Sequence, residues 1–212
     1  NTCRQLQKDY PDYRFVPVYW MASEDHDFEE IRSFRLNGKK YAWESGQKGA
    51  VGRFNLKDLQ PLLKEIPGDL TPFLEAYSKS ATLAEAVRKY VNALFGEHGL
   101  IVIDGDDHSL KATFREVMEA DVISGITHRL VTETNGRLEK LGYEPQVFAR
   151  DINFFWLDEG IRERIEKEGD RWHVLQTGIS FTENELREHI RNHPERLSPN
   201  VILRPLYQEM IL

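Results

Sequence analysis

The sequence predicts an α/β fold with a parallel sheet at its centre. Two apolar runs that end in acids, and long helical stretches between them, carry that prediction. Phe15 to Trp20 and Leu100 to Asp104 have the Val, Ile and aromatic content of strands covered on both faces. Residues 55–93 supply helical connections long enough for a parallel crossover. Together these make the core Rossmann-like, assembled from residues 1–33, 94–148 and 197–212. Residues 34–54 then read as a small β insertion and residues 149–196 as a β/α insertion.

Taken in order, Thr2 to Tyr10 reads as the end of a helix closed by Pro11. After the first strand, a helix begins at Phe28, with Asp27 as its N-cap and acids suited to the positive end of its dipole. Asn37-Gly38 is a strong hairpin signal between alternating segments. Leu56 to Ile66 is an amphipathic helix halted by Pro67-Gly68, and Pro72 to Phe95 is a second. Ser109 to Leu141 is a long helical region weakened at Ser124-Gly125. Ala149 to Leu175 alternates like two strands around a charged turn. Thr182 and Glu185 form a capping box, and Val201-Ile-Leu203 is the last strand before an apolar helix.

Composition narrows the function classes. With 212 residues, 40% of them hydrophobic, the chain can bury a substantial core. A net charge of −7 argues against a nucleic-acid surface, which needs clustered Lys and Arg. No apolar run approaches the roughly 20 residues of a membrane helix. The single cysteine, Cys3, excludes an internal disulfide and fits a reducing compartment. The chain starts on Asn1 and stops on Met210-Ile211-Leu212, and several core strands are missing, so both ends read as cut from a longer protein.

Chemistry concentrates where the strands hand over to helices. Ligands of open α/β sheets bind beyond the carboxyl ends of the strands. Glu24-Asp25-His26-Asp27 stands there as four consecutive ionisable residues. His26 could donate to a phosphate or leaving-group oxygen, with a neighbouring carboxylate fixing its tautomer. The aspartates could instead hold a divalent metal, or the run could be an N-cap with an exposed acidic turn. Asp104-Gly-Asp106-Asp107 occupies the equivalent place after the second strand, with Asp107 equally suited to capping. Ser198, Asn200 and Arg204 gather hydroxyl, amide and guanidinium groups, and Arg204 could clamp an anion or pair with one of the acids. Gly49-Ala-Val-Gly-Arg53 lacks the phosphate-loop lysine and reads as a bend. Cys3 has no base beside it, and His128, His173, His189 and His193 lack zinc spacing. Phe154-Phe155-Trp156 suits a core or interface better than a stacking platform.

Three of these segments, in order and spacing, resemble one family over nearly the whole chain. They are Val16-Pro-Val-Tyr-Trp-Met-Ala-Ser-Glu-Asp-His-Asp-Phe-Glu-Glu-Ile31, Leu94-Phe-Gly-Glu-His-Gly-Leu-Ile-Val-Ile-Asp-Gly-Asp-Asp107 and Leu197-Ser-Pro-Asn-Val-Ile-Leu-Arg-Pro-Leu206. The family is that of the bacillithiol biosynthesis cysteine-adding enzyme. The resemblance implies a bacterial cytoplasmic ligase that joins cysteine to the amine of glucosaminyl-malate. It also implies a Rossmann-like core with connecting-peptide insertions, and a homodimer formed through a C-terminal coiled coil absent here. The core is similar to that of cysteinyl-tRNA synthetases, which implies ATP, with Mg²⁺ as its companion ion. The Glu24–Asp27 run falls where those ligases carry a His-rich nucleotide motif. In that reading His26 stabilises phosphate charge, and Asp25 and Asp27 orient it or bind the substrate amine. Glu24, Asp104, Asp106, Ser198 and Asn200 line the substrate or nucleotide, and Arg204 anchors an anionic group such as malate. The family's Gly- and Gln/His-rich first strand would precede Asn1, and its Gly-Gly-Pro segment would follow Leu212, so the site expected here is incomplete. Two rival readings are a non-catalytic nucleotide- or metabolite-binding module and a metal-dependent phosphohydrolase using Asp25, Asp27, Asp104 and Asp106.

Overall fold

The computed structural model describes residues 1–212, and its contacts divide the chain into two units, Asn1–Gly105 and Asp106–Leu212. In the first unit, α1 (Thr2–Asp9) stops before Pro11, which cannot continue a helix. β1 (Val18–Met21) leads to the short α2 (Phe28–Ile31). β2 (Ser33–Leu36) and β3 (Lys39–Ala42) pair across Asn37 and Gly38, whose φ values of 49° and 81° are those of the twisted turn that Asn-Gly favours. A single 3-10 turn at Val51–Arg53 follows. Helices α3 (Gln60–Leu63), α4 (Thr71–Ser78) and α5 (Leu83–Phe95) then return the chain to β4 (Ile101–Asp104).

Two of the expected helices are shorter than their periodicity suggests. Pro61 has no amide to donate, so α3 can begin only around it. Thr82 caps α5 by accepting from the Glu85 amide at 3.3 Å, which breaks the stretch from Pro72 to Phe95 into two helices. β1 and β4 are parallel, with Val18 opposite Ile101 and Met21 opposite Asp104. The covering expected on both faces is not there. Val18, Tyr19 and Ile101 are 36%, 40% and 49% exposed, and only the carboxyl end of β1, at Met21, is buried. The sheet has just these two strands, so no neighbour shields its start. The unit's core lies instead under the helical connection, where Trp43, Val51, Phe54, Leu56, Leu59, Leu63, Leu83 and Ala86 pack together.

In the second unit, α6 (His108–Ala112), α7 (Arg115–Val122) and α8 (Ile126–Lys140) divide the expected long helical region, with a left-handed Gly125 before α8. β5 (Phe154–Asp158), β6 (Ile161–Glu168), β7 (Arg171–Val174) and β8 (Ser180–Phe181) come next. They are followed by α9 (Glu183–Asn192), β9 (Leu197–Pro199) and α10 (Arg204–Ile211). The five strands form one antiparallel sheet in the order β8-β7-β6-β5-β9.

Two expectations need correction here. The charged turn inside 149–175 is β6, whose basic side chains lie over aromatic rings: Arg162 is 3.9 Å from the Phe155 centroid and Lys167 is 4.3 Å from that of Trp172. The last strand is Leu197–Pro199 and not Val201–Leu203, and it pairs with β5, not with the parallel pair. Asn200 Oδ1 accepts from the Ile202 and Leu203 amides and turns those residues out of the sheet. Phe114, Met118, Phe154, Trp156, Leu157, Trp172, Leu186 and Tyr207 fill this core. No helix of either unit is long and apolar enough to cross a membrane.

Candidate functional site

Parallel pairing brings the carboxyl ends of β1 and β4 side by side, and with them the first two acidic turns. Asp104 closes β4 opposite Met21, and the Ser23 hydroxyl donates to Asp104 Oδ1. The Arg88 guanidinium, from α5, lies 3.9 Å from the other oxygen of that carboxylate. Ser23 and Glu24 are buried, whereas His26 and Asp27 are exposed. Asp25 Oδ1 accepts from the His26 amide at 2.7 Å and lies 3.3 Å from His26 Nδ1, so one carboxylate oxygen governs both the turn and the ring. The Asp27 side chain makes no capping bond to α2, unlike the N-cap expected of it.

The turn is held from behind by the Gly49–Arg53 segment. Val51 N–H donates to Asp25 O at 2.7 Å and Gly52 N–H to Ser23 O at 2.8 Å. Any Cβ at position 52 would stand 2.4 Å from Ser23 Cβ, so only glycine lets the two backbones meet. The bend read from sequence is therefore a clamp on the acidic turn. Its Val51, Gly52 and Arg53 amides are spent on carbonyls and are not available to a phosphate. A recurrent small-residue segment after the hairpin was the only sequence signal for it.

The remaining predicted residues belong to the second unit, and most are engaged in holding it. Asp106 pairs at 3.2 Å with the ammonium of Lys111, which is fully buried. Asp107 caps α6 by accepting from Ser109 and Leu110 amides at 2.9 and 3.3 Å. Ser198 is fully buried in β9, its hydroxyl without a hydrogen-bond partner. Asn200 donates from Nδ2 to Asn153 Oδ1 at 3.0 Å. Asn153 in turn donates twice to Asp121, from its amide at 2.7 Å and its side chain at 3.0 Å. Burial raises the Asp121 carboxyl above its ordinary value, although Thr127 and Asn153 hydrogen bonds oppose that shift. Arg204 is half-buried, opens α10, and pairs with no carboxylate, so the structural pairing considered for it is not what holds it.

No group of three or more His, Cys, Asp or Glu side chains is arranged to hold a metal ion. A hollow of about 860 Å³ lies among Cys3, Arg4, Phe15, Pro17, Phe95 and Leu100. Those residues flank the amino ends of β1 and β4, away from the acids. What the acid end offers chemically is an exposed imidazole steered by a carboxylate, next to an arginine-paired carboxylate. That set suits anion contact and proton handling.

Comparison with known proteins follows from the whole chain. Residues 1–212 match the family model described as "Bacillithiol biosynthesis BshC, N-terminal Rossmann-like domain". A Cytophaga hutchinsonii protein named "Putative cysteine ligase BshC" is 48% identical over 211 residues, covering 99% of this chain and 40% of its own. Proteins of the same name from Flavobacterium psychrophilum and Salinibacter ruber are 40% and 32% identical, each covering all of this chain. The chain spans 41% and 43% of those two relatives.

Proposed function

The chain belongs to the bacillithiol biosynthesis BshC family, through its N-terminal Rossmann-like domain, and on that premise we propose that it is the core of an amide-forming cysteine ligase. The reaction class is ATP-dependent joining of the cysteine carboxyl to the amine of glucosaminyl-malate, as the family resemblance implies. The observation that carries this reading is the meeting of the Glu24–Asp27 turn with Asp104 at the carboxyl ends of the parallel strands.

ATP, when bound, would supply the activation of the carboxyl group. The residues present fit a phosphate contact at His26 better than a loop cradle, because the Val51 and Gly52 amides are already engaged. His26 would donate to a phosphate oxygen, its ring turned by Asp25. Asp104, already aligned by Ser23 and faced by Arg88, would receive a substrate ammonium or hydroxyl. Arg204, free of carboxylate partners, would bind an anionic group such as a malate carboxylate. We place the protein in the cytoplasm, where its one cysteine stays reduced, and its dimer contacts in the part of the relatives beyond this chain.

The test is product analysis by mass spectrometry on the full-length protein with ATP, cysteine and glucosaminyl-malate. Wild type is expected to form the amide, and His26→Ala to lose it. Binding of the substrates without any amide would overturn the ligase in favour of a non-catalytic binding module.

A further inference from the structure

A hollow of about 360 Å³ lies between α7 and α9, wholly within the unit Asp106–Leu212. That volume is at the small end of ligand pockets, which run from roughly 300 to 1,000 Å³. Arg115, Glu116, Glu119 and Ala120 of α7 line it, with Ser124 just beyond that helix and Arg187 of α9. Positions three and four apart are neighbours on a helix surface, so the α7 residues share one side. Arg115 stands one turn from Glu119, its natural partner, but Arg187 has taken that carboxylate. Arg187 Nη1 donates to Glu119 Oε2 at 2.8 Å, while its Nε and Nη2 donate to Glu183 Oε1 at 2.9 and 2.8 Å. The Arg115 guanidinium is left half-buried with no ion pair, and its Nε is shut off from water without a hydrogen-bond partner. A cation partly stripped of water and given no counter-charge is costly, and an anionic oxygen on its terminal nitrogens would offset that cost. Glu116 is exposed at the same hollow and pairs with no cation. A plain anion drawn to Arg115 would be opposed by that carboxylate. A ligand carrying both charges meets an opposite charge at each end, and the Ser124 hydroxyl can donate to its oxygens.

We propose that this hollow is a binding site for a small zwitterion of the α-amino-acid type. Arg115 takes its carboxylate, Glu116 takes its ammonium, and the Ser124 hydroxyl donates to the carboxylate. Glu119 offers little to the ammonium because Arg187 neutralises it, and that pair ties α9 to α7 as a fixed wall. All of these residues belong to one unit, and none takes part in the ligase reading above.

Saturation-transfer NMR titrations on the full-length protein test this, with L-alanine as the zwitterion and acetate and methylammonium as its separate charges. Wild type is expected to bind L-alanine, and to bind each single-charge probe about tenfold more weakly or worse. Arg115→Gln and Glu116→Gln are each expected to weaken L-alanine about tenfold or more. Arg115→Lys, which keeps the charge without the planar fork, is expected to lose less. Circular dichroism and thermal unfolding serve as folding controls, and the exposed Glu116 supplies the deciding variant should Arg115→Gln fail to fold. His26→Ala is expected to leave L-alanine binding unchanged, which separates this site from any cysteine site at the acidic turn. Loss of binding in His26→Ala would put the amino acid at that turn and overturn the proposal. So would a wild type that does not bind L-alanine, or folded Arg115→Gln and Glu116→Gln that bind it within twofold of wild type. Acetate binding as tightly as L-alanine would make the hollow a bare anion pocket and overturn the zwitterion assignment.

Discussion

The turn after β1 and the turn after β9 read alike in sequence, each a hydroxyl residue followed by polar groups at a strand end, yet they are built in opposite ways. After β1 the chain is held through its backbone, by the Val51 and Gly52 amides on the carbonyls of Asp25 and Ser23. His26 and Asp27 are left facing water. After β9 the chain is held through side chains: Asn200 caps two amides and bonds Asn153, which anchors Asp121. A turn clamped by backbone keeps its side chains available for chemistry. A turn clamped by side chains has used them for the fold.

That contrast can be tested by substitution. The largest effect is expected from Asn153→Ala, which removes the side-chain donor to the fully buried Asp121 and the acceptor of Asn200 Nδ2, while the backbone amide of residue 153 stays on the carboxylate. A loss of about 3 kcal/mol in urea unfolding is expected, and a loss under about 1 kcal/mol would show that the β9 turn does not depend on its side chains. Gly52→Ala comes next, at about 2 kcal/mol, because its Cβ must displace Ser23. Amide hydrogen exchange at Val51 and residue 52 should rise with it, and unchanged protection would deny the clamp.

A pH series sharpens the comparison further. Burial in the folded state raises the Asp121 carboxyl above its ordinary value, so it binds that proton more tightly than the unfolded chain does. The stability from protonation is therefore present below about pH 3.8 and is lost as pH rises through the folded value. Asp121→Asn should flatten that decline relative to wild type in parallel urea titrations from pH 4 to 7. A difference between the two proteins that stays constant with pH would contradict it. His26→Ala should be the mildest for the fold, within about 0.5 kcal/mol by thermal unfolding, since the side chain is exposed. A larger loss would mean that His26 holds the turn instead of being held by it.

How much of this was legible follows from where each signal resides. The β1 and β4 strands, the Asn37-Gly38 turn and the Thr182–Glu185 capping box carry local signals, and each is found. The Glu24–Asp27 turn was visible because four ionisable residues follow an apolar run. β6 was not, since Ile161-Arg-Glu-Arg-Ile-Glu-Lys-Glu168 reads as a solvated run until Phe155 and Trp172 are placed beneath its cations. Gly52 as a clamp and Glu195 as a partner of His108 were equally hidden, because each acts on residues 29 and 87 positions away. The backbone contacts of Asn200 are hidden for a related reason: a strand-end amide looks the same in sequence whether its partner is a substrate or the amides of Ile202 and Leu203.

The strand order β8-β7-β6-β5-β9 also has a kinetic consequence. β5 to β8 are joined by short hairpin connections, so their pairing closes small loops and can form early. β9 reaches β5 only after an intervening helix, with Leu197 opposite Trp156 across 41 residues of chain. That pairing closes the longest loop in the sheet and should be the late step of folding in this unit. We expect Leu197→Ala to speed unfolding while leaving the folding rate nearly unchanged in stopped-flow chevrons. A matching drop in the folding rate would instead put the β9 edge in the nucleus.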